Sequence, residues 1–485
     1  MGFAPLVSIL GMLLLFAAPS NDLLDYLPTQ SYWESKHVEV SVQSMAAELA
    51  DAPGADAASL IDQLSNPDPQ LRNDARKKLA QLGRKAIAPL REAQDMGDPQ
   101  TVNAAKELIA QIITESQPAA VRRLMAIRAL GESGDPAAVA VLTPLLKSTE
   151  LFEADYAATA IATLHHEAWS RPPAAAAECA ADAWRFPGDC AVVVQATNYR
   201  FHPLSLSALV AQEMIMSNRP RQVVLDEYNS RVLAIAEVLG NVRLQALTIG
   251  VAGHVSIDSG YLAIVFRGQF DPLAMGRAIE TQMPGMHETT MSGFRVYCPP
   301  SSPYMPDFSY VIPDEHRVVM ILGPPRVLID SVVAAVAAGK DDLHGSADLS
   351  PLLAAADMTQ PLWGVAKVTP SFQAAAPILA PFDTLTLHSG IGQDQMLHVK
   401  LSASGNDPVG AKSSATTFNT GVADMLRELR PMLTVMPITR PLLRTLESIH
   451  CDADGGNANM TMQGPPSLLQ AMLGSGSSAP PATGP

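Results

Sequence analysis

The chain has 485 residues, 47% of them hydrophobic, which is enough for two or three domains with substantial cores. Its formal net charge of −15 argues against non-specific binding to nucleic acid, because phosphate backbones attract basic proteins. No motif in the sequence specifies a reaction, so the sequence predicts the organisation of the protein better than its activity.

The first element is an apolar run from Phe3 to Ala18, which is short for a membrane span and typical of a signal-peptide core. Ala18-Pro19-Ser20 fits the small-residue cleavage pattern, with Asn21 as the new N-terminus. The residues before the run carry no Lys or Arg, so an uncleaved anchor is the alternative. We predict that residues 1–20 are a signal peptide or N-terminal anchor and that the protein is extracytoplasmic, in the periplasm or cell envelope.

Residues 21–56 are acidic and contain few apolar residues at regular spacing. We predict a linker over this stretch, with a short helix around Val42–Leu49. Tyr32 and Trp33 are expected to pack on the first of the helical repeats that follow.

Asp68-Pro69 predicts a helix start, with an Asp cap and a Pro in the first turn, where its missing N–H is not needed. Gly83 predicts the helix end, because glycine adopts a left-handed conformation readily. The intervening apolar residues recur at helical spacing: Leu71, Ala75, Leu79 and Leu82. A second apolar run begins at Ile87, so two short helices should meet at a tight turn.

These signals recur along the chain. The Asp-Pro start returns at Asp98-Pro99 and Asp135-Pro136, and the Leu-Gly stop returns at Leu130-Gly131. One stretch begins at residue 98 and another ends at residue 131. We interpret them as separate helices of successive stacked pairs. About three repeats is near the minimum for an independent solenoid, so we expect this region to dock on the rest of the chain.

The repeated pattern resembles a HEAT repeat over residues 57–168, in the manner of uncharacterised exported bacterial proteins. The copies depart from that pattern where Arg123 stands in line with Ala75 and where the turn at 131–136 is long. A plain helical bundle is the alternative. The resemblance implies an α-solenoid that presents a protein-binding surface.

The same helices carry a local excess of basic residues, opposed locally only by Asp74 and Glu92. The basic residues are Arg72, Arg76, Lys77, Lys78, Arg84, Lys85 and Arg91. They form either a solvated helix face or a patch for an acidic protein or anionic lipid headgroups.

A linker is predicted at 169–186, with a short helix up to Trp184. After it, similar landmarks occur twice in the same order, in units at 187–345 and 346–474. Asp271-Pro272 corresponds to Asp407-Pro408, and Gly323-Pro324-Pro325 corresponds to Gly464-Pro465-Pro466. We predict an internally duplicated α+β module with mainly antiparallel sheets and helices on one face. The predicted fold class is therefore a short HEAT-like α-solenoid followed by this module, and the Gly/Ser/Pro-rich tail at 475–485 should be disordered.

Two strands in these units differ in pattern. Leu262–Phe266 is apolar throughout, which predicts burial of both faces. In the second unit, Leu397 and Val399 alternate with His398 and Lys400, which predicts one solvated face.

The chain lacks the phosphate-binding loop, the zinc-protease helix motif and the serine-nucleophile elbow. Gly390-Ile391-Gly392 lacks a third glycine and precedes a strand, so it is not a dinucleotide loop. His388 and His398 lie on adjacent predicted strands without a third ligand at suitable spacing. We predict no catalytic residue, no metal site and no cofactor.

The cysteines at Cys179, Cys190, Cys298 and Cys451 form no C-x-x-C motif. Export would permit disulfides, and Cys179–Cys190 and Cys298–Cys451 are the predicted pairs. Free buried thiols in a reducing compartment are the alternative.

The leading hypothesis is an exported, non-enzymatic protein-binding or scaffold protein whose HEAT-like region contacts a protein partner. It would contact a membrane only through an uncleaved N-terminal segment. One alternative is an enzyme or enzyme accessory with a site between the two α+β units, since HEAT-like repeats also occur in proteins resembling cofactor-attachment lyases. Another is a carrier with an apolar cavity under the sheet for a lipid or small apolar ligand. The sequence indicates no oligomeric state.

Overall fold

The structure, a computed structural model, describes residues 22–50, 57–167, 176–197, 220–252, 260–283, 285–299, 307–323, 326–392, 394, 396–435 and 440–464. The predicted signal segment at 1–20 and the tail at 475–485 lie outside these residues. The helices are α1 (Thr29–Ser35), α2 (Val42–Leu49), α3 (Ala57–Ile61), α4 (Pro69–Leu82), α5 (Ile87–Met96), α6 (Pro99–Glu132), α7 (Ala138–Leu142), α8 (Glu153–Leu164), α9 (Ala176–Ala183), α10 (Arg221–Leu239), α11 (Pro272–Gln282), α12 (Arg326–Ala338), α13 (Ser350–Ala355), α14 (Pro370–Ala375), α15 (Pro408–Val435) and α16 (Arg440–Glu447). The strands are β1 (Cys190–Thr197), β2 (Arg243–Ala252), β3 (Leu262–Gln269), β4 (His287–Met291), β5 (Phe294–Cys298), β6 (Asp307–Asp314), β7 (Arg317–Gly323), β8 (Leu362–Lys367), β9 (Thr384–Ile391), β10 (Leu397–Ser404), β11 (His450–Asp454) and β12 (Asn457–Gly464). Short 3-10 helices occur at Leu23–Tyr26, Asp62–Ser65, Gly83–Ala86, Thr143–Lys147, Leu343–Gly345 and Pro377–Leu379.

The N-terminal region is helical and is organised around α6, a single helix of 34 residues. The prediction of separate helices within this stretch is wrong, because Pro118 lies inside a helix that continues past it. The helix has apolar residues to bury on both sides of the proline: Leu108 and Ile112 pack with α4 and α5, and Val121 and Leu124 pack in a second core with α8. This burial outweighs the backbone hydrogen bond that a proline removes.

The helix predicted at Val42–Leu49 is confirmed as α2, but residues 22–49 are not a linker, because they form part of the second helical core. Trp33 is fully buried there, and its Nε1 donates a hydrogen bond to the Met125 carbonyl oxygen at 3.3 Å. Tyr32 and Met45 are buried in the same cluster. The expected packing of Tyr32 and Trp33 on the first repeat is wrong, because the C-terminal half of α6 and α8 cover them instead.

The predicted helix ends at the first repeat are confirmed. The Asp68 carboxylate accepts a hydrogen bond from the Gln70 N–H at 2.8 Å, which caps α4. Asp98 caps α6 in the same way through Gln100 and Thr101. Gly83 ends α4 at φ +59°, a conformation that favours glycine.

Gly131 permits a close crossing of α6 and α8. A Cβ at this position would lie 2.7 Å from the Cα of Ala160, so the two backbones would have to separate. We expect Gly131→Ala to lower the free energy of unfolding by about 1–3 kcal/mol, as overpacked cores do. Urea denaturation of both proteins measures the difference.

Gly421 provides the matched control, because it lies in α15 and a methyl group added to its Cα would have no atom within 4 Å. Gly421→Ala should raise the free energy of unfolding by about 0.5–1 kcal/mol through helix propensity. Equal effects at the two glycines would contradict the close crossing.

The twelve strands of the described residues join one sheet in the order β11-β12-β10-β9-β8-β1-β2-β3-β7-β6-β5-β4, with every neighbouring pair antiparallel. The protein is therefore a mixture of helices and antiparallel sheet, as predicted. The predicted units at 187–345 and 346–474 do not form separate sheets, because β8 pairs directly with β1. Val193 lies opposite Val365 at this central pair.

The sheet has two differently covered faces, which we name the α12 face and the α15 face after the helices that pack on them. In the first half, α12 and α13 cover apolar side chains such as Val265 and Ile321. In the second half, α15 covers the opposite face, where Ala403 and Ala411 are buried together.

The strand patterns behave as predicted. In β3, Ala263, Ile264 and Val265 are all buried, so both faces of the strand are covered. In β10, buried and exposed residues alternate from Leu397 to Lys400, so the α12 face of the second half is solvated.

The short helix predicted up to Trp184 within the linker at 169–186 is confirmed at residues 176–183. They form α9, where Asp182 makes an ion pair with Arg267 of β3, and both side chains are buried. The helix therefore belongs to the sheet module, whose first element precedes β1.

Candidate functional site at the junction of helices and sheet

Asp271 joins the helical region to the sheet module. It caps α11 by accepting hydrogen bonds from the N–H groups of Leu273 and Ala274 at 3.0 and 3.2 Å. Its other carboxylate oxygen accepts from Arg84 Nη1 at 2.5 Å and from Gln117 Nε2 at 3.0 Å. Burial alone would raise the pKa of Asp271, but the Arg84 charge and these hydrogen bonds outweigh burial and lower it.

Arg243 of β2 forms a second junction. Its guanidinium donates to Asp22 at 2.5 Å and to Asp155 of α8 at 2.5 Å. A third bond reaches Gln269 Oε1 at 2.7 Å. Burial would lower the pKa of Arg243, but the two carboxylates outweigh burial and raise it. Asp22, which precedes the 3-10 helix at Leu23–Tyr26, is thus buried against the sheet.

A third set of polar contacts lies beside the second. The Asn241 side chain accepts a hydrogen bond from the Leu24 N–H at 3.2 Å and donates to the Tyr156 hydroxyl at 3.2 Å. The N–H of Leu23 donates to the carbonyl oxygen of Val242 at 2.9 Å. The expectation that the helical region docks on the rest of the chain is confirmed. Buried polar groups make these contacts, and Ala274 of α11 also packs in the apolar core of α4, α5 and α6.

The seven basic residues predicted as one patch are divided among three environments. Arg84 is held by Asp271, Arg76 lies 3.2 Å from Glu107, and Arg72 donates to the carbonyl oxygen of Asn66 at 2.7 Å. Three remain exposed on the helical region: Lys77, Lys78 and Lys85. The seventh, Arg91, faces a cleft. The patch prediction is wrong as a single surface, because successive helical residues point in different directions.

The cleft, which we name the junction cleft, lies between α5 and α6 on one side and α11, β4 and β5 on the other. Its volume is about 420 Å³. The lining residues are Arg91, Gln94, Lys106, Ile109, Ala110, Ile113, Leu273, Arg277, Glu280, Glu288, Arg295 and Tyr297. Gly276 allows α11 to approach β5 here, since a Cβ at that position would overlap the Tyr297 hydroxyl.

The structure contradicts the predicted disulfides, because all four cysteines are free and buried. Cys298 of β5 and Cys451 of β11 are separated by ten inter-strand spacings, or ~48 Å along the sheet. Cys190 lies 3.1 Å from the Val192 carbonyl oxygen, whereas Cys179 lies on α9 near Arg267. Neither predicted pair forms.

We expect native protein to resist thiol modification. Burial raises the pKa of Cys190 to about 12 and that of Cys179 to about 11, and only thiolates react readily. Incubation with iodoacetamide at pH 8 followed by intact-mass analysis should leave the native chain unmodified. In denaturant without reductant, all four thiols should be alkylated, whereas a protected pair would contradict the structure.

Within the described ranges, no group of three or more His, Cys, Asp or Glu side chains is arranged to hold a metal ion. His398 instead contacts Asp394 at 3.1 Å on the surface. No helix in these ranges has the length and apolarity needed to cross a membrane.

Sequence reasoning did not identify Arg277, Arg295 or the role of Asp271 beyond its helix cap. Asp271-Pro272 was visible as a helix start, but the second function of that carboxylate depends on Arg84, which is 187 residues away in the chain. No local pattern marks such a pair.

No known protein family matches the chain, and no functionally characterised protein matches its sequence. Among solved structures, the chain is similar to the one titled "Structure of crystal form I of TP0453", at 13% sequence identity and a TM-score of 0.29. The match covers 57% of this chain and 90% of that chain. A likeness at this level supports no assignment of fold or function.

Proposed function

We propose that the protein is an exported, non-enzymatic binding or scaffold protein whose helical region presents a surface to an acidic protein partner. The observation that carries this proposal is the outer face of α4. This helix buries Ala75 and Leu79 but leaves Lys77 and Lys78 exposed, while Leu71 is 44% exposed. The junction contacts hold this face in a fixed position relative to the sheet, which favours recognition of a partner.

The boundary between the two predicted α+β units supports a binding role over the enzyme alternative. The β1–β8 pair occupies this boundary, and Ala196 packs with Leu362 and Leu397 in an apolar cluster. Apolar packing of this kind lacks the titratable groups that a catalytic cleft requires.

We further propose that the helical region is a short HEAT-like solenoid and that the sheet module arose by duplication. The strand order supports the second part. Outward from the central pair, β1-β2-β3-β7-β6 on one side corresponds to β8-β9-β10-β12-β11 on the other. The β4–β5 hairpin would be an addition to the first copy.

The partner proposal is tested by reversing charge on α4. The variant Lys77→Glu with Lys78→Glu should lose at least about tenfold in affinity, because an acidic partner would then face like charges. Partners are captured from the envelope fraction by cross-linking, identified by mass spectrometry, and titrated in purified form against each variant.

The control carries Lys340→Glu and Lys412→Glu, which are exposed lysines outside the helical region. Equal affinity in all three proteins would refute the surface assignment. Deleting residues 57–168 is unsuitable, since it would uncover both helical cores. Mass analysis of the native N-terminus tests export separately, with Asn21 as the expected first residue.

A further inference from the structure

Four cationic side chains from both parts of the molecule line the junction cleft: Arg91, Lys106, Arg277 and Arg295. The cleft also has two carboxylates, and each lies near one arginine. Glu280 is 3.6 Å from Arg277, and Glu288 is 3.7 Å from Arg295. Four cations and two carboxylates leave a net charge of +2. Among the residues that the structure describes, no carboxylate lies within ion-pair distance of Arg91 or Lys106.

Arg91 is the member of this cluster that comes from α5. It is half-buried on α5, and burial lowers the pKa of its guanidinium. The Arg295 cation on β5 lowers it further, while Glu288, Tyr297 and Asp271 act in the opposite direction. Like charges held close together in a partly desolvated cleft repel each other, and an anion bound between them removes that repulsion.

Hydrogen-bond donors accompany the charges. The Nε of Arg277 is buried, and within the described residues it has no hydrogen-bond partner. The Tyr297 hydroxyl donates its hydrogen to Glu288 Oε2 at 3.3 Å and can accept a hydrogen bond in turn. Burial, followed by the neighbouring carboxylates, raises the pKa of Tyr297, so its hydroxyl keeps its proton at neutral pH.

One wall of the cleft is apolar. Ile109 and Ile113 are four residues apart on α6 and so lie on the same helix face, with Leu273 of α11 beside them. Cavities of about 300–1,000 Å³ that combine apolar walls with a few polar groups are typical of small-molecule sites. The junction cleft has both features.

We propose that the junction cleft binds an amphipathic organic anion, with a carboxylate or phosphate head between Arg91 and Arg295 and an apolar chain against Ile109, Ile113 and Leu273. The ligand touches the helical region and the sheet module at once, so its binding stabilises their docked arrangement. This site is separate from the outer face of α4 and does not depend on the proposed protein partner.

The test measures separately how the anionic head group and the apolar chain of the ligand contribute to binding. The full-length protein is titrated by calorimetry with octanoate and octyl phosphate, which carry both parts. Acetate and inorganic phosphate carry only the head, and octanol carries only the chain. We expect saturable one-to-one binding of at least one octyl anion and at least tenfold weaker binding of the other three probes. The stronger of the two octyl anions identifies the head group.

Arg91→Gln and Arg295→Gln should each weaken binding of that anion by about 10- to 100-fold, which corresponds to the loss of one charge-assisted hydrogen bond. Arg427→Gln, on the exposed surface of α15, should leave binding unchanged. A cooperative unfolding transition without ligand, at a midpoint no lower than that of the wild type, shows that each variant is folded. The proposal is overturned if neither octyl anion binds, if the head-only probes bind equally well, or if Arg91→Gln and Arg295→Gln bind like the wild type.

Discussion

Asp271→Ala is expected to lower the free energy of unfolding by about 3–5 kcal/mol, the usual cost of removing one partner from a buried ion pair. The carboxylate is 7% exposed and accepts hydrogen bonds from Arg84, Gln117 and the first turn of α11. Its removal would leave the Arg84 cation and the Gln117 amide without this acceptor in a largely buried junction. Guanidinium chloride titrations of the variant and the wild type measure the loss.

Asp68→Ala is the matched control, since Asp68 also caps a helix and precedes a proline but is exposed. Asp68→Ala should lower the free energy of unfolding by about 1 kcal/mol, as the loss of a helix cap does. If the two variants lose the same amount, Asp271 acts as a cap alone and does not anchor the helical region.

The Asp271 contribution should also depend on pH in a definite direction. Because the folded protein holds the pKa of this carboxyl below its ordinary value, the stabilisation is complete above the unfolded value of about 3.9. It is lost as pH falls through the folded-state value. The difference in stability between wild type and Asp271→Ala should therefore be constant at neutral pH and shrink below about pH 4.

Arg243→Met is expected to lower the free energy of unfolding by about 3–5 kcal/mol, because it also removes one partner from a buried ion pair. The guanidinium faces the fully buried Asp22 and, on α8, Asp155. Methionine preserves the apolar stem but removes the charge that compensates these carboxylates. Chemical denaturation measures the loss, and amide hydrogen exchange should show the largest loss of protection in residues 22–35.

Two further variants serve as controls for the Arg243→Met result. Arg427→Met removes an exposed ion pair to Asp424 and should cost no more than about 1 kcal/mol. Combining Arg243→Met with Asp22→Asn should cost less than the sum of the single changes, because both remove the same interaction. Strict additivity would show that the two side chains stabilise the protein independently.

The local sequence predicted the elements that depend on neighbouring residues. The Asp caps at Asp68 and Asp98 and the left-handed Gly83 were visible because their contacts lie within four residues. The alternation in β10 was visible for a similar reason, since a strand points successive side chains to opposite faces.

The candidate site was much less predictable. Arg91 was identified only as one member of a basic run, although its neighbours in space, Arg277 and Arg295, come from a different part of the chain. Residues 22–49 were predicted as a linker with one short helix, because Trp33 and Leu24 become core residues only when α6 and α10 lie beside them.

The sequence by itself determined the helix caps, the alternation of the strands, and the division into a helical region followed by a mixed α+β region. These properties follow from hydrogen bonds and side-chain periodicity within a few residues. Only the tertiary structure decided that one twelve-stranded sheet unites both halves, that all four thiols stay free, and that Asp271 and Arg243 fasten the helices to the sheet. Those outcomes depend on which distant groups meet after burial, where the free energy of a charge is set by its partner in space.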